Sequence, residues 1–454
     1  MAPFEKTGRT ELTNILVRGA HVIARPDLGD YGKVESLFVE GDKIRALGAA
    51  ADAQADFADE IWDKDGFIVV PGLINAHMHS WQAALRGIAL DWNLLEYLGN
   101  MHGRVMTAMT PEDVYASSLG AAATQIFAGT TTLGDWCHAN LTPAHTDAAL
   151  AALQEASIRA VFQHASPPGQ AHDRERVRQL LDHPAVTESG LLTLALAVAG
   201  PLYSTSEVAE ADLAIAREFD LVATMHHSGG PGCPNEVWYD LIAKGLIGPK
   251  VNIVHGNTID DELMDRLVDA GVTFTITPEV EMNDGHGHPI TGRLRKRGVT
   301  PAIGIDIESA VGPSLVNAAV TALVHQRSLD APNPGQMPPN FGDKINRIEA
   351  LHWVTGAGAH ALGVDDLVGN LAPGKQADIT IIDGRSLDLW PNNCPVATLL
   401  RSNSSHVDSV VVAGRVLKKD KALQTLSADN LMQQLSDASE RVMAAANLPA
   451  EAMA

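Results

Sequence analysis

Two histidines one residue apart, His77 and His79 in Pro71-Gly-Leu-Ile-Asn-Ala-His-Met-His79, close an apolar run with the texture of a strand. On an extended chain, residues two apart point to the same side, so both imidazoles can reach one metal ion. With 18 histidines in the chain such a spacing also arises by accident, and the pair gains meaning from its companions. His226 or His227 ends a later apolar run, His255 ends the next in Asn252-Ile-Val-His-Gly256, and Asp306 ends another in Ala302-Ile-Gly-Ile-Asp306. Neutral imidazoles with one carboxylate suit a borderline cation, zinc first and iron(II) second, better than the oxygen-rich shells of calcium or magnesium suit it.

The elements that must position these residues follow from the pattern along the 454 residues, 45% of them hydrophobic. Between residues 13 and 70 the sequence predicts short strands at Ile15 to Arg18, Ala20 to Ala24, Ser36 to Glu40, Lys43 to Leu47 and Glu60 to Trp62. From Phe67 to about residue 370, apolar runs alternate with amphipathic stretches, the signal of repeated β-α units around a parallel sheet. Eight runs read as barrel strands: Ile68 to Ala76, Thr130 to Trp136, Ala160 to His164, Leu192 to Ala199, Leu221 to His227, Val251 to Gly256, Val272 to Thr277 and Ala302 to Asp306. Helices are predicted over Pro111 to Phe127 with Thr110 as N-cap, over Asp260 to Asp269, and over Ala428 to Ala446 with Ser427 as N-cap. The β texture returns at Ala377 to Ile382 and Val407 to Val416, so two distant β segments can close one composite sandwich. The expected domains are residues 1–70 plus 371–425 as that sandwich, 71–370 as the barrel, and 426–454 as a C-terminal helix and tail. In an eightfold barrel the carboxyl ends of the strands gather at one face, so the histidines and Asp306 converge there.

Composition narrows the partners. A formal net charge of −22, from 33 basic and 55 acidic residues, repels phosphate backbones and anionic lipid, so neither nucleic acid nor membrane is an expected partner. The most apolar stretch, Leu191 to Tyr203, is too short to span a bilayer and is broken by Gly200 and Pro201. The three cysteines, Cys137, Cys233 and Cys394, form no C-x-x-C pair, which argues against a disulfide framework or a thiolate zinc site. The opening Met-Ala-Pro-Phe-Glu-Lys lacks the features of a secretory signal, and a cytoplasmic location is expected.

The motifs taken together, Pro71 to His79, Leu85-Arg-Gly87, Gly129-Thr-Thr-Thr132, His226, His255, Asp306 and Leu371-Ala-Pro-Gly-Lys-Gln-Ala-Asp378, resemble the amidohydrolase superfamily. More narrowly they resemble its branch of cytosine and guanine deaminases and triazine chlorohydrolases, and the likeness runs from about residue 13 to 420. The resemblance implies an α/β fold: a distorted (β/α)8 TIM barrel beside a small β-sandwich built from both termini, in a homo-oligomer. It implies one divalent metal ion per chain held by His77, His79, His226 and Asp306, with His255 contacting the attacking water or completing the metal shell. His226 is preferred over His227 because Ala-Thr-Met-His226 sits in the family's apolar-x-apolar-His register. Metal binding lowers the pKa of water from about 15.7 toward about 7. Asp306 would take the proton and pass it to the leaving group, and His255 would steady the developing charge.

The sequence departs from that pattern in two places. Deaminases of the branch carry a glutamate three residues after the fifth-strand histidine, which protonates a ring nitrogen, and here that position is Gly229. After the seventh strand the chain reads Thr277-Pro-Glu-Val-Glu-Met-Asn-Asp-Gly-His-Gly-His-Pro289 where relatives have a serine-asparagine pair. Glu279 or Glu281 is the expected substitute proton donor, with His286 and His288 also candidates, although loop carboxylates are as often merely solvated. Gln82, Trp92 and Trp136 are candidate substrate contacts, and aromatics in such places serve packing at least as often. His102, His138, His164 and His172 read as structural or exposed, and Gly129-Thr-Thr-Thr as backbone geometry. The expected activity is hydrolysis of a carbon-nitrogen bond, by deamination or by amide or urea cleavage, in a small planar nitrogen-containing molecule. The alternatives are hydrolytic dechlorination of a chlorinated N-heterocycle and, behind it, a metal-binding scaffold without turnover.

Overall fold

The computed structural model describes residues 12–229, 232–331 and 344–448. Nine strands from both ends of the chain form one mixed sheet. Ile15–Val22 lies at its centre and is bulged between Val17 and Ala20. Its first half pairs in parallel with Glu60–Asp63, its second half with Phe67–Pro71. At the far edge, the N–H of Ile44 donates to Lys375 O (2.9 Å) and that of Gly374 to Ile44 O (2.8 Å). The edge strand Lys43–Leu47 is thereby tied to the stretch that leads into Ile379–Asp383. The two layers of the composite sandwich are thus parts of a single sheet, wrapped around Ile15, Val17, Leu37, Val39, Val69 and Ile381.

One strand expectation needs correcting. The run Ile68 to Ala76 is not one barrel strand: Phe67–Pro71 pairs antiparallel with Ile379–Asp383 in the terminal sheet, and only Leu73–Met78 opens the barrel. The chain crosses between the two sheets at Gly72, whose N–H donates to Asp378 O (2.9 Å) and where a Cβ would lie 2.0 Å from Thr131 Oγ1. Similarly, Val407 to Val416 is a hairpin, turning at Ala413 and Gly414 with φ of 46° and 75°.

The eight barrel strands are parallel and neighbour one another in sequence order: Leu73–Met78, Thr130–Cys137, Arg159–Ala165, Leu192–Ala197, Ala223–His227, Val251–His255, Thr273–Ile276 and Ala302–Ile303. Strands such as Thr130–Cys137 are buried on both faces, which is why they read as unbroken apolar runs and not as alternating patterns. Around them pack helices with satisfied ends. Pro111–Phe127 starts with a capping box between Thr110 and Asp113, Asp261–Asp269 is capped by Asp260, and Ala428–Ala446 by Ser427. Among the described residues no helix is long and apolar enough to cross a membrane.

Candidate metal centre and active site

The eighth strand decides the geometry at the carboxyl end of the barrel. Its ladder covers only Ala302–Ile303, and closure is completed by Asp306, which bridges to Met78. The Asp306 N–H donates to His77 O (3.1 Å) and its C=O accepts from the His79 N–H (2.8 Å). The residue that closes the barrel is therefore clasped between the two histidines of the His-x-His pair. Gly304 permits this approach, because a Cβ there would stand 2.4 Å from His77 O. Asp306 and His255 both turn out of their strands with positive φ, 68° and 70°, a region seldom entered by residues with a Cβ.

The side chains meet as the backbone dictates. Asp306 Oδ1 lies 3.3 Å from His77 Nε2 and 3.2 Å from His79 Nε2, and His226 Nε2 lies 3.2 Å from His77 Nε2. His255 Nε2 is 3.8 Å from Asp306 Oδ2. His227 turns away: its ring packs on Trp238 with centroids 5.4 Å apart, and Nδ1 meets Thr258 Oγ1 at 3.2 Å. Burial pushes the His77 imidazole down to about 4 despite the pull of Asp306, and burial with the neighbouring imidazoles holds His226 well below its ordinary value. Burial would raise the Asp306 carboxyl, but hydrogen bonds from His77 and His79 and the nearby imidazoles hold it well below the usual range. His77 and His226 are thus imidazoles with lowered proton affinity beside a carboxylate.

This donor set fits a divalent cation. His79 Nδ1 donates to the Trp136 carbonyl oxygen (2.9 Å), which can only accept, so Nε2 is the nitrogen turned toward Asp306 and the one available to a metal. The 3.2–3.3 Å separations match the edge, about 3.3–3.4 Å, of a tetrahedron with bonds of about 2.0–2.1 Å. The nitrogens of His77, His79 and His226, and the ligand atoms of His77, His255 and Asp306, form two such groups, each spanning no more than 4.8 Å.

Behind His255, Thr277 Oγ1 lies 3.0 Å and Glu281 Oε1 3.4 Å from Nδ1. Glu281 is fully buried, accepts from the Thr277 N–H (2.8 Å) and Asn257 Nδ2 (3.2 Å), and is pushed up to about 7 by burial. It braces His255 from the rear and does not line the cavity. Glu279 points elsewhere again, toward Thr321 Oγ1 at 3.5 Å. The segment expected as a loop is a helical turn, Pro278–Asn283, so alternate side chains do not share a side. Residues four apart do, and the cavity is lined by Val280 and Asp284. Glu279 and Glu281, the expected substitute proton donors, are not among the residues that line the cavity.

Above the ligands lies a cavity of about 300 Å³, with His79, His226, His255 and Asp306 among its lining residues and with Leu94, Leu98, Val198 and Ile307 as apolar wall. Trp136 and His286 line it, as do His102 and His138, which the sequence reading treats as structural or exposed, and Tyr97. Gln82, Trp92 and His288 do not. Gln82 is fully buried and donates to Tyr97 Oη (2.6 Å) while accepting from Ser309 Oγ (2.7 Å). Trp92 belongs to the hydrophobic core, and His288 stacks on His325 at 5.0 Å. Asp284 is missed in the sequence; its one signal is the four-residue spacing from Val280. At Gly229, φ is 61° and a Cβ would meet the end of the Leu94 side chain, Cδ2, at 2.1 Å, so a longer side chain there requires a strained backbone and a displaced Leu94.

The amidohydrolase family model matches residues 68–417 of this chain. The chain is 26% identical over 430 residues to the 5'-deoxyadenosine deaminase of Methanothermobacter thermautotrophicus, covering 91% of this chain and 96% of that protein. In fold it is similar to an adenosine deaminase from Xanthomonas campestris with bound zinc, with a TM-score of 0.81 and 20% identity over 96% of this chain and 100% of the other. It is also similar to the atrazine chlorohydrolase of Arthrobacter aurescens TC1 complexed with zinc, with a TM-score of 0.81 and 22% identity over 94% of this chain and 100% of the other.

Proposed function

From the premise that this chain belongs to the amidohydrolase family, we propose that it hydrolyses an exocyclic carbon-nitrogen bond of a small planar nitrogen heterocycle and releases ammonia or an amine. The observation that carries this reading is the close cluster of His77, His79, His226 and Asp306 at a cavity of about 300 Å³. That volume is at the small end of ligand sites, about 300–1,000 Å³. A divalent cation bound by these four residues, zinc first and iron(II) second, would supply the Lewis acidity that lowers the pKa of water from about 15.7 toward about 7. Asp306, held as a carboxylate, accepts the proton of the attacking water and returns it to the departing nitrogen. His255, neutral and braced by Thr277 and Glu281, donates from the nitrogen nearer Asp306 to the oxygen that gains charge at the attacked carbon. Trp136, with His138 stacked at 5.6 Å, offers an aromatic wall for a flat ring.

Hydrolytic dechlorination is the second reading. It is favoured by Gly229, since a better leaving group lessens the need for ring protonation. Elemental analysis of the purified protein, joined to mass spectrometry of reactions on nucleosides, nucleobases, aminotriazines, chlorotriazines, N-acyl anilines and phenylureas, separates them. Ammonia or amine from amino-substituted rings is expected. Chloride release alone would favour the second reading, and fully metallated protein inert on the whole panel would overturn both.

A further inference from the structure

Two carboxylates line the cavity among the described residues, Asp306 within the ligand cluster and Asp284 on the helical turn after the seventh strand. Leu94 links Asp284 to the position that lacks an acid. Its side chain fills the space at Gly229, where a Cβ would lie 2.1 Å from Leu94 Cδ2, and its N–H donates to Asp284 O at 3.1 Å. The same leucine thus occupies the side of the cavity next to Gly229 and is tied to a carboxyl-bearing residue beside it. Asn283 Nδ2 donates to Asp284 Oδ1 (3.0 Å) and to Leu90 O (2.8 Å), and Asp284 itself is among the residues that line the cavity. Building on the hydrolytic reading, we propose that Asp284 is the catalytic acid of this enzyme, giving its proton to the ring nitrogen next to the carbon under attack.

The surroundings of Asp284 suit that task. No lysine or arginine is among the described residues that line the cavity. The titratable groups that line the cavity with it are Asp306, Tyr97, Tyr203 and the imidazoles of His79, His102, His138, His226, His255 and His286, and Glu281 lies on the helical turn it caps. Tyr97 is held well above its ordinary value by burial, with the charges of Asp306 and Asp284 adding to the shift. Burial pushes His286 down to about 4, so it brings no positive charge at neutral pH. Burial lifts the Asp284 carboxyl to about 7, the Asn283 hydrogen bond opposing and the Asp306 charge adding. A carboxyl group in this condition holds a proton near neutral pH and can release it in the reaction.

The protons balance without another reactant. As the water oxygen bonds to the ring carbon, one water proton passes to Asp306 and the Asp284 proton passes to the ring nitrogen. Asp306 then gives its proton to the exocyclic amino group, the carbon-nitrogen bond breaks, and ammonia leaves. The remaining hydroxyl proton returns to the Asp284 carboxylate as the carbonyl forms. The product is the ring lactam, and both carboxyl groups end as they began.

The test is Asp284→Asn, which keeps the shape and the contact with Asn283, studied as metal-loaded enzyme beside the wild type. On an amino-substituted ring, kcat is expected to fall at least about 100-fold, with metal content and melting temperature unchanged. The wild-type kcat falls as pH rises through about 7, and this limb disappears in the variant. On a chlorinated ring the defect shrinks to less than about tenfold. A variant within about threefold of wild-type kcat, with the same high-pH limb, overturns the role of Asp284 and leaves the hydrolase reading standing. If the wild type is inert on every compound, the hydrolase reading fails, and infrared difference spectra between wild type and variant decide the acid. A protonated-carboxyl band lost as pH rises through about 7 supports Asp284 as a proton carrier, and its absence overturns that.

Discussion

Replacing Gly304 by alanine tests whether closing the barrel and assembling the ligands are one event. A Cβ at this position would stand 2.4 Å from His77 O and 2.8 Å from both His77 N and Cβ. Carbon and oxygen without a bond settle at about 3.3–3.6 Å, so the eighth strand has to retreat by about 1 Å. The obstructing atoms are those of a fully buried strand residue, and no flexible side-chain end can absorb the shift. Asp306 Oδ1, now 3.3 and 3.2 Å from the two imidazoles, would move to about 4 Å, wider than a tetrahedral edge for bonds of about 2.0–2.1 Å. Overpacking of this kind costs about 1–3 kcal/mol, and a misplacement near 1 Å about 100-fold in rate. The assay is metal per chain after dialysis against a weak chelator, read beside kcat/KM and the circular dichroism spectrum. Gly304→Ala should fold, lose metal in that dialysis and lose about 100-fold in kcat/KM. Gly312→Ala, where a Cβ meets nothing within 4 Å, should behave as wild type. Full metal retention by Gly304→Ala, with kcat/KM within about twofold of wild type, would refute the coupling of closure to ligand geometry.

Stripping the metal with a chelator should lower the melting temperature reversibly, since a ligand at a thousand times its Kd adds about 4 kcal/mol to folding; identical melting curves before and after would contradict the site. Asp378→Ala should cost about 3–5 kcal/mol in denaturant unfolding, because it strands the buried Arg159, which makes two 2.9 Å bonds to that carboxylate and joins the third barrel strand to the segment entering the terminal sheet. Lys418 is fully buried, donates to Phe127 O (2.7 Å), and has its amine pushed down to about 7 by burial. Between about pH 7 and 10.4 the unfolded chain holds a proton that the folded chain has released, so wild-type stability rises with pH in that window. Lys418→Met should lose this rise, as measured by chemical unfolding at pH values on both sides of about 8.

The parts of the site that could be read in the sequence are those whose position follows from strand ends. His77, His79, His255 and Asp306 each close an apolar run, and parallel strands buried on both faces announce themselves as such runs. The crossing at Gly72 was hidden because Phe67–Pro71 and Leu73–Met78 are equally apolar and equally buried, although they serve different sheets. The direction of Glu279, Glu281 and Asp284 was hidden because a run of Glu, Val, Glu, Met and Asn does not reveal whether its period is two or 3.6. Pro278 at the first helical position settles it only with the structure in view. Nothing local to Gly229 records that Leu94, far upstream, fills its side of the cavity. Trp92 and Gln82 were placed near the mouth by sequence proximity to the first strand, but their side chains turn into the core and toward Tyr97.

The ligand cluster is an expensive arrangement for a protein to keep for structure alone. Asp306 and His255 hold φ values of 68° and 70°, each worth about 1–3 kcal/mol of strain. Asp306 is buried against the imidazoles of His77 and His79, and apolar groups of similar size at such a place are often the more stable choice. The backbone bonds of Asp306 to His77 and His79 would survive a glycine at 306, which would also remove the strain, so barrel closure does not require the carboxylate. On the proposed reading, what requires it is a cation shared with the imidazoles. On the other side of the cavity, Leu94 forms an apolar wall at Gly229, and Asp284 is the second carboxyl group of the lining. In the proposed mechanism, metal ligation and proton donation come from different parts of the barrel, the first, fifth and eighth strands for one and the turn after the seventh for the other, so either function can be altered while the other is left in place.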